Sequence, residues 1–363
     1  MHYYIISGEL SGDIYGSHLI EYIKQNDENA EFTCWGGEHM KHKGAKLVRD
    51  LNSLAFMGFL EVLKNFKTIF KNYFFAKKNI KDLRPDAIIL IDYPGFNLRI
   101  AKYAKKLNIP VYWFIAPQTW AWKDNRNNTL RKYVDKLFVA LPFELNYFQN
   151  AGIQTFYYGH PLMNVIKDHI NQEPPKALGK PVIALLPGSR KQEIETMLPI
   201  MLQIVDRFLN YRFIVVGANS IKRSFYEKFI DSYSVELNFN KEVLNSVHAA
   251  VTTSGTVTLE IAAYKIPQVV CYKLNQISYF IARAFAKVKY IALVNLLANE
   301  MLVKELIQGE FNADNIEREL NQILDSNNRN NIITKYNQVM SELYKPDCFN
   351  NISKTIHGDL LKK

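Results

Sequence analysis

Short apolar runs alternate with helically spaced stretches along this chain. In the first half, Tyr3 to Ser7, Phe32 to Trp35, Ala87 to Ile91, Val111 to Ile115 and Lys136 to Ala140 read as strands. Runs of this kind suit strands of a parallel sheet covered by helices on both faces, so the pattern predicts an α/β fold. The rhythm breaks around Gly159-His160-Pro161, and Pro174, Pro175 and Pro181 punctuate a polar stretch. A second series begins at Val182 to Leu186, continues through Phe213 to Val216, Ala249 to Val251 and Gln268 to Cys271, and gives way to helices. The expected organisation is a first α/β domain over 1–160, a linker over 161–180, a second α/β domain over 181–345 and a helical tail over 346–363. No internal repeat of solenoid period is present. The Asn-rich segment Asp325 to Asn331 reads as a loop or a helix end.

Two turns in the second half carry the most chemistry. Leu185-Leu186-Pro187-Gly188-Ser189-Arg190 and Thr253-Ser254-Gly255-Thr256-Val257-Thr258-Leu259-Glu260 each follow an apolar strand and lead into a helix. Free backbone N–H groups gather at such a place and attract an anion. Arg190 adds a planar fork suited to a diphosphate, and Glu260, one turn into its helix, can accept hydrogen bonds from a ribose diol. Together they read as a site for a nucleoside diphosphate, although each alone also reads as an ordinary turn and N-cap.

The turns of the first half are acidic. Gly8-Glu9-Leu10-Ser11-Gly12-Asp13 departs from the dinucleotide-binding glycine pattern, and its carboxylates repel phosphate. It fits a hydroxyl-bearing acceptor near Glu9, Ser11 and Asp13, or a plain helix cap by Ser11 or Asp13. Asp92, at the end of the Ala87 to Ile91 strand, lies at the carboxyl edge where ligands of parallel sheets bind. It is the candidate general base, since an apolar strand end moves a carboxylate toward a useful pKa and positioned proton transfer contributes about 10² to 10⁴ in rate. The alternative is a structural Asp holding its turn. Asp86 precedes the same strand and falls at the wrong edge. Trp120 and Trp122, in Ala116-Pro117-Gln118-Thr119-Trp120-Ala121-Trp122, line a pocket, an interface or the packed interior.

Bulk properties narrow the setting. The chain has 363 residues, enough for two domains, with an apolar content of 48% that suits a globular protein. Lys and Arg number 45 against 35 Asp and Glu, a net charge of +10 that suggests an anionic partner, nucleic acid or membrane surface. Cys34, Cys271 and Cys348 lack metal-ligand spacing and no secretory segment opens the chain, so a reducing cytoplasm is the expected setting. No run reaches the roughly 18 apolar residues of a membrane span. From Phe59 onward, Phe59, Leu60, Val62, Leu63, Phe66, Ile69, Phe70, Tyr73 and Phe74 recur at helical spacing among Lys64, Lys67, Lys71, Lys77 and Lys78. This basic amphipathic stretch is either a membrane-facing patch or a core helix with a lysine-rich outer face. His18, His39, His42 and His160 show no zinc spacing, and no metal is expected.

Many short motifs in one order give the chain its resemblance to the lipid-A-disaccharide synthases, inverting glycosyltransferases of the glycosyltransferase-B type. They are Gly8 to Asp13, Gly36-Gly37 with Met40, Met57-Gly58 with Glu61-Val62, Ile91 to Asn97, Pro117 to Trp122, Pro142-Phe143-Glu144, Gly159-His160-Pro161, Leu185 to Arg190, Ser254 to Glu260, Asn295-Leu296-Leu297 and Glu305 to Gln308. The resemblance spans nearly the whole chain. It implies two Rossmann-like domains with C-terminal helices packing back over them. It also implies transfer of 2,3-diacylglucosamine from UDP-2,3-diacylglucosamine to 2,3-diacylglucosamine 1-phosphate, with release of UDP and without cofactor or metal. On it, Asp92 is the base, and Gly188, Ser189, Arg190, Ser254, Gly255, Thr256, Glu260 and Asn295 join Glu9, Ser11 and Asp13 in substrate binding. The patch Phe59, Leu60, Val62, Leu63, Phe66, Ile69 and Phe70 then meets the inner face of the cytoplasmic membrane. Nucleic acid is not an expected partner, and a homodimer stays open. Gly95 stands where many members carry an acid and Ala116 where many carry Ser, so neither is counted as catalytic. Two other readings remain, a nucleotide-sugar epimerase and a basic binder of membranes or nucleic acid without catalysis.

Overall fold

The computed structural model describes residues 1–51, 66–122, 124–170, 179–276, 279, 283 and 288–362. The chain divides into two compact units, one built from Met1–Val165 with Leu343–Lys363, the other from Ile166–Ala284 and Val288–Glu342. The division differs from the expected boundaries at both ends. The chain enters the second unit partway along a helix, Pro161–Ile170, and residues 343–363 belong to the first unit rather than forming a separate tail.

The first unit runs β1 (His2–Ser7), α1 (Leu10–Asn26), β2 (Glu31–Gly36), α2 (Glu38–His42), β3 (Lys46–Asp50), α3 (Phe66–Leu83), β4 (Ala87–Ile91), α4 (Pro94–Lys106), β5 (Val111–Phe114), α5 (Asn127–Tyr133), β6 (Lys136–Val139), α6 (Pro142–Asn150), β7 (Thr155–Tyr157) and α7 (Pro161–Ile170). Its strands form one parallel sheet in the order β3-β2-β1-β4-β5-β6-β7. The second unit runs β8 (Val182–Leu186), α8 (Lys191–Leu202), β9 (Arg212–Val216), α9 (Arg223–Ile230), β10 (Val235–Asn238), β11 (Val247–Thr253), α10 (Val257–Ala263), β12 (Gln268–Tyr272), α11 (Leu293–Ala298), β13 (Glu305–Ile307), α12 (Ala313–Leu324) and α13 (Ser326–Leu343). Its sheet is also parallel, ordered β10-β9-β8-β11-β12-β13. Both orders are those of doubly wound dinucleotide-type folds. Asn327 to Asn331 belong to the opening of α13, whose first amides at Asn327 and Asn328 donate to the Asp325 carboxylate.

Central strands such as β4 and β8 are buried at every position, because helices cover both faces. The first core gathers Tyr4, Ile6, Ile88, Leu90 and Trp113, and the second gathers Leu185, Val215, Val251 and Val269. The last helix, α14 (Cys348–Leu360), completes the first unit. Phe349, 2% exposed, lies against Tyr15, His18, Tyr22 and Phe114, with the His18 ring stacked at 5.1 Å. Farther along α14, Asp359 accepts a 2.7 Å hydrogen bond from the Tyr112 hydroxyl and pairs with Lys136 at 3.1 Å.

Glu144 opens α6 from its third position, accepting hydrogen bonds from the backbone N–H groups of Ala140 and Leu141 and, at 2.8 Å, from Trp120 Nε1. Burial outweighs these three donors and raises its pKa to about 7. A carboxyl whose folded pKa lies above its unfolded value contributes stability that is complete below the unfolded value, near 4.3, and is lost as the pH rises through about 7. Glu144→Gln is therefore expected to flatten the pH dependence of stability between about pH 4.3 and 7, measured by urea denaturation across that range. Phe349→Ala is expected to lower the unfolding free energy of the first unit by roughly 3–5 kcal/mol in the same assay.

Candidate functional site

In the second unit, β8 and β11 are adjacent parallel partners, and the chain continues from them toward opposite edges of the sheet. Neighbouring strands lie about 4.8 Å apart, so the two turns expected to meet an anion leave the sheet side by side, where its order reverses. Gly188 has φ +113° and Gly255 φ +135°, values that glycine adopts without the clash a Cβ brings. At Gly188 the space is also taken, since an added Cβ would come 2.4 Å from Glu193 Oε2.

Ser189 and Arg190 are exposed at the start of α8, and both meet Glu193. The Ser189 N–H donates to Glu193 Oε2 at 3.1 Å, and Arg190 Nη1 pairs with Glu193 Oε1 at 2.7 Å. A carboxylate of the protein thus occupies donors of the kind that hold a phosphate. Sequence reasoning missed Glu193, although a Glu three residues after an N-cap is a recognisable capping signal. On the other turn, Ser254 Oγ donates to the Ile291 carbonyl at 2.7 Å and Thr258 Oγ1 to the Gly255 carbonyl at 2.8 Å, while Thr256 stays exposed. Glu260 is buried, and both its oxygens meet Lys241 Nζ, at 2.8 and 2.7 Å. No motif in the sequence points to Lys241.

Asn295, expected among the substrate contacts, clamps the backbone of its own unit. It is fully buried, its amide donates to the Val303 carbonyl and to Glu305, and its oxygen accepts from the Val303 N–H. Both of its donors and one lone pair of its oxygen are thus engaged inside the unit. Glu305 also accepts from the N–H groups of Ile291 and Ala292 and so fixes the backbone that receives Ser254.

The first unit repeats the arrangement at β1 and β4. Ser7 is in register with Ile91, so Gly8 and Asp92 leave neighbouring strands at the same level, again where the strand order reverses. The two turns nest closely, for a Cβ on Gly8 would lie 2.4 Å from Tyr93 Cγ. Asp92 and Tyr93 have φ of +46° and +50°, and Ile115, at the end of β5, has +65°. Nine non-glycine residues with positive φ occur among the described residues, and these three share one sheet edge. Left-handed backbone costs such residues roughly 1–3 kcal/mol each and concentrates at functional sites.

The half-buried Glu9 accepts from Ser11 Oγ at 2.6 Å. Asp13 does not cap its own helix. It is buried and accepts from the N–H groups of Gly37, His39 and Met40 at 2.7, 3.1 and 3.2 Å. Its carboxylate thereby holds the start of α2. Beyond β5, Trp120 is held by Glu144 and meets Phe143 edge-on at 5.0 Å, while Trp122 is exposed with the Arg126 guanidinium 5.3 Å above its ring.

Of the basic aromatic stretch, Phe59, Leu60, Val62 and Leu63 lie outside the described residues. Phe66 begins α3, Ile69 is half-buried, and Phe70 and Phe74 are exposed beside exposed Lys67, Lys71 and Lys78. The opposite side of α3 buries Asn72, Ala76 and Ile80. No helix among the described residues is long and apolar enough to cross a membrane.

Residues 3–355 match the model of a family described as lipid-A-disaccharide synthetase. A lipid-A-disaccharide synthase of Coxiella burnetii is 34% identical over 365 residues, covering 98% of this chain and 97% of that protein. Among solved structures, a UDP-GlcNAc 2-epimerase from Neisseria meningitidis bound to UDP-GlcNAc matches with a TM-score of 0.63 at 16% identity, each chain covered in full. CalG4, the calicheamicin glycosyltransferase, matches with a TM-score of 0.60 at 13% identity over 100% of this chain and 98% of that one. These structural likenesses establish the glycosyltransferase-B fold. The relatives and the family model together decide the family, and the chain belongs to the lipid-A-disaccharide synthetases, hexosyltransferases of lipid A biosynthesis.

Proposed function

We propose that this chain joins UDP-2,3-diacylglucosamine to 2,3-diacylglucosamine 1-phosphate, with Asp92 as general base and the turns after β8 and β11 receiving the UDP. The acceptor's 6-hydroxyl oxygen attacks the anomeric carbon of the donor, the bond from that carbon to the diphosphate breaks, and the hydroxyl proton passes to the Asp92 carboxylate. Negative charge grows on the departing UDP. Arg190 and the N–H groups at the start of α8 offer fixed positive potential for it, which is the effect that lowers such barriers most. Glu193 then leaves these donors to the diphosphate, and Glu260 meets the ribose.

One observation carries the reading. Asp92 and Arg190 each sit at the carboxyl edge of a parallel sheet where its strand order reverses, the place at which this architecture binds ligands. The exposed Phe70 and Phe74 among lysines on α3 support peripheral contact with the inner face of the cytoplasmic membrane, from which acylated substrates are drawn. Each large apolar side chain removed from water contributes about 1.5–3 kcal/mol and each lysine near an anionic surface about 1 kcal/mol.

With both acylated sugars supplied, Asp92→Asn is expected to lose turnover by about 10² or more while binding UDP as the native protein does. Mass spectrometry of the disaccharide and calorimetry with UDP check this, and near-native turnover would remove Asp92 as the base. Arg190→Ala is expected to weaken UDP binding by about tenfold or more in the same titration, and unchanged affinity would place the diphosphate elsewhere.

A further inference from the structure

The turn that carries Asp92 is strained and yet tightly held. Two consecutive non-glycine residues, Asp92 at φ +46° and Tyr93 at φ +50°, adopt the left-handed conformation between β4 and α4. Left alone, a chain of L-residues leaves this conformation, and the carboxylate would turn with its backbone. What opposes the relaxation is the side chain of Asn97, which is completely buried one turn into α4. Its amide donates to the Asp92 carbonyl at 2.7 Å and lies 3.4 Å from the Ile91 carbonyl. Asn97 Oδ1 has no hydrogen-bond partner in its buried setting. A buried acceptor left unsatisfied is destabilising, so the amide is of use here for its donors. The remaining contacts act in the same direction: the Asp92 N–H donates to the Phe114 carbonyl at 3.0 Å, and the Tyr93 ring fills the space over Gly8 and stacks on Phe96 at 5.4 Å.

We propose that Asn97 is the positioning residue for Asp92: its buried amide holds the left-handed turn after β4 and so fixes the direction from which the carboxylate takes the acceptor's proton. The proposal rests on Asp92 being the base. Asn97 touches no substrate; it acts through the backbone of the residue that does. Catalytic geometry tolerates little displacement, and a shift of about 1 Å at a reacting group costs up to about 10² in rate.

Asn97→Leu keeps the volume and removes the donors. It is expected to lower kcat by at least about tenfold, with UDP affinity within about twofold of native because the UDP turns lie in the other unit. Adding Tyr93→Gly to that variant is expected to restore part of kcat, since glycine takes up positive φ without the Cβ clash. If Asn97→Leu does not fold, Asn97→Ser is measured in its place by the same readouts. Native kcat in the Asn97 variant, or a parallel loss of kcat, UDP affinity and unfolding midpoint, overturns the proposal, as does a double variant no faster than the single one. Asp92→Asn run alongside separates the two readings. If it turns over normally, the base assignment itself falls; if it is inactive while the Asn97 variant is native, only the positioning falls.

Discussion

Two strand pairings, β1 with β4 and β8 with β11, are the constraint on which the rest depends. In a parallel sheet every strand delivers its carboxyl end to the same edge, and wherever neighbouring strands send the chain to opposite sides, no crossover connection covers the gap between them. Of the residues released there, Asp92 in one sheet and Gly188 to Arg190 and Ser254 to Thr256 in the other are half-buried or exposed while their strands remain buried. The chain makes this arrangement twice with opposite chemistry. One edge is acidic with left-handed backbone; the other has an arginine and helix starts. The difference accords with a reaction that takes a proton from one partner and stabilises negative charge on the other.

What the sequence discloses and what it hides follow from burial. Every interior strand is visible as an apolar run because helices cover both its faces. The four strands not anticipated, β3, β7, β10 and β13, are the four edges of the two sheets. Lys46, Arg49 and Asp50 in β3, Glu236 in β10 and Glu305 in β13 interrupt the apolar signal, and β7 and β13 are three residues long. An edge strand has one neighbour and partial cover, so its composition resembles that of a loop. The turns were legible because they inherit their position from interior strands. Their inner partners were not: Lys241 and Glu305 acquire their roles only when separate elements meet, and Glu193 and the amide of Asn97, although local, act through a turn geometry that the sequence does not display. Asn295 and Asp13 illustrate the same limit from the other direction. A polar residue in a distinctive motif can serve the scaffold that shapes a site, with every polar atom engaged before any ligand arrives.

Charge is arranged economically in the second unit. Arg190 is met by Glu193 and Glu260 by Lys241, so groups that would otherwise face each other's absence are neutralised in place. Glu193 and Lys241 are the more adaptable partners. Glu193 is at the surface of a helix start, and Lys241 is 61% exposed while the Glu260 it meets is buried. The solvent-facing pair of Arg190 with Glu193 contributes at most about 1 kcal/mol, so a ligand bearing several charges can replace it at small cost, whereas buried Glu260 needs a new partner wherever Lys241 leaves it.

The place of α14 bears on how the protein comes into being. During synthesis the amino-terminal half of a two-unit protein usually folds first, as soon as it clears the ribosome. Here the ring that fills the space among Tyr15, His18, Tyr22 and Phe114 belongs to Phe349, so the amino-terminal unit waits until the whole second unit has been made. Until then it exposes an aromatic hollow, and a chain that lacks α14 leaves the first unit permanently unfinished.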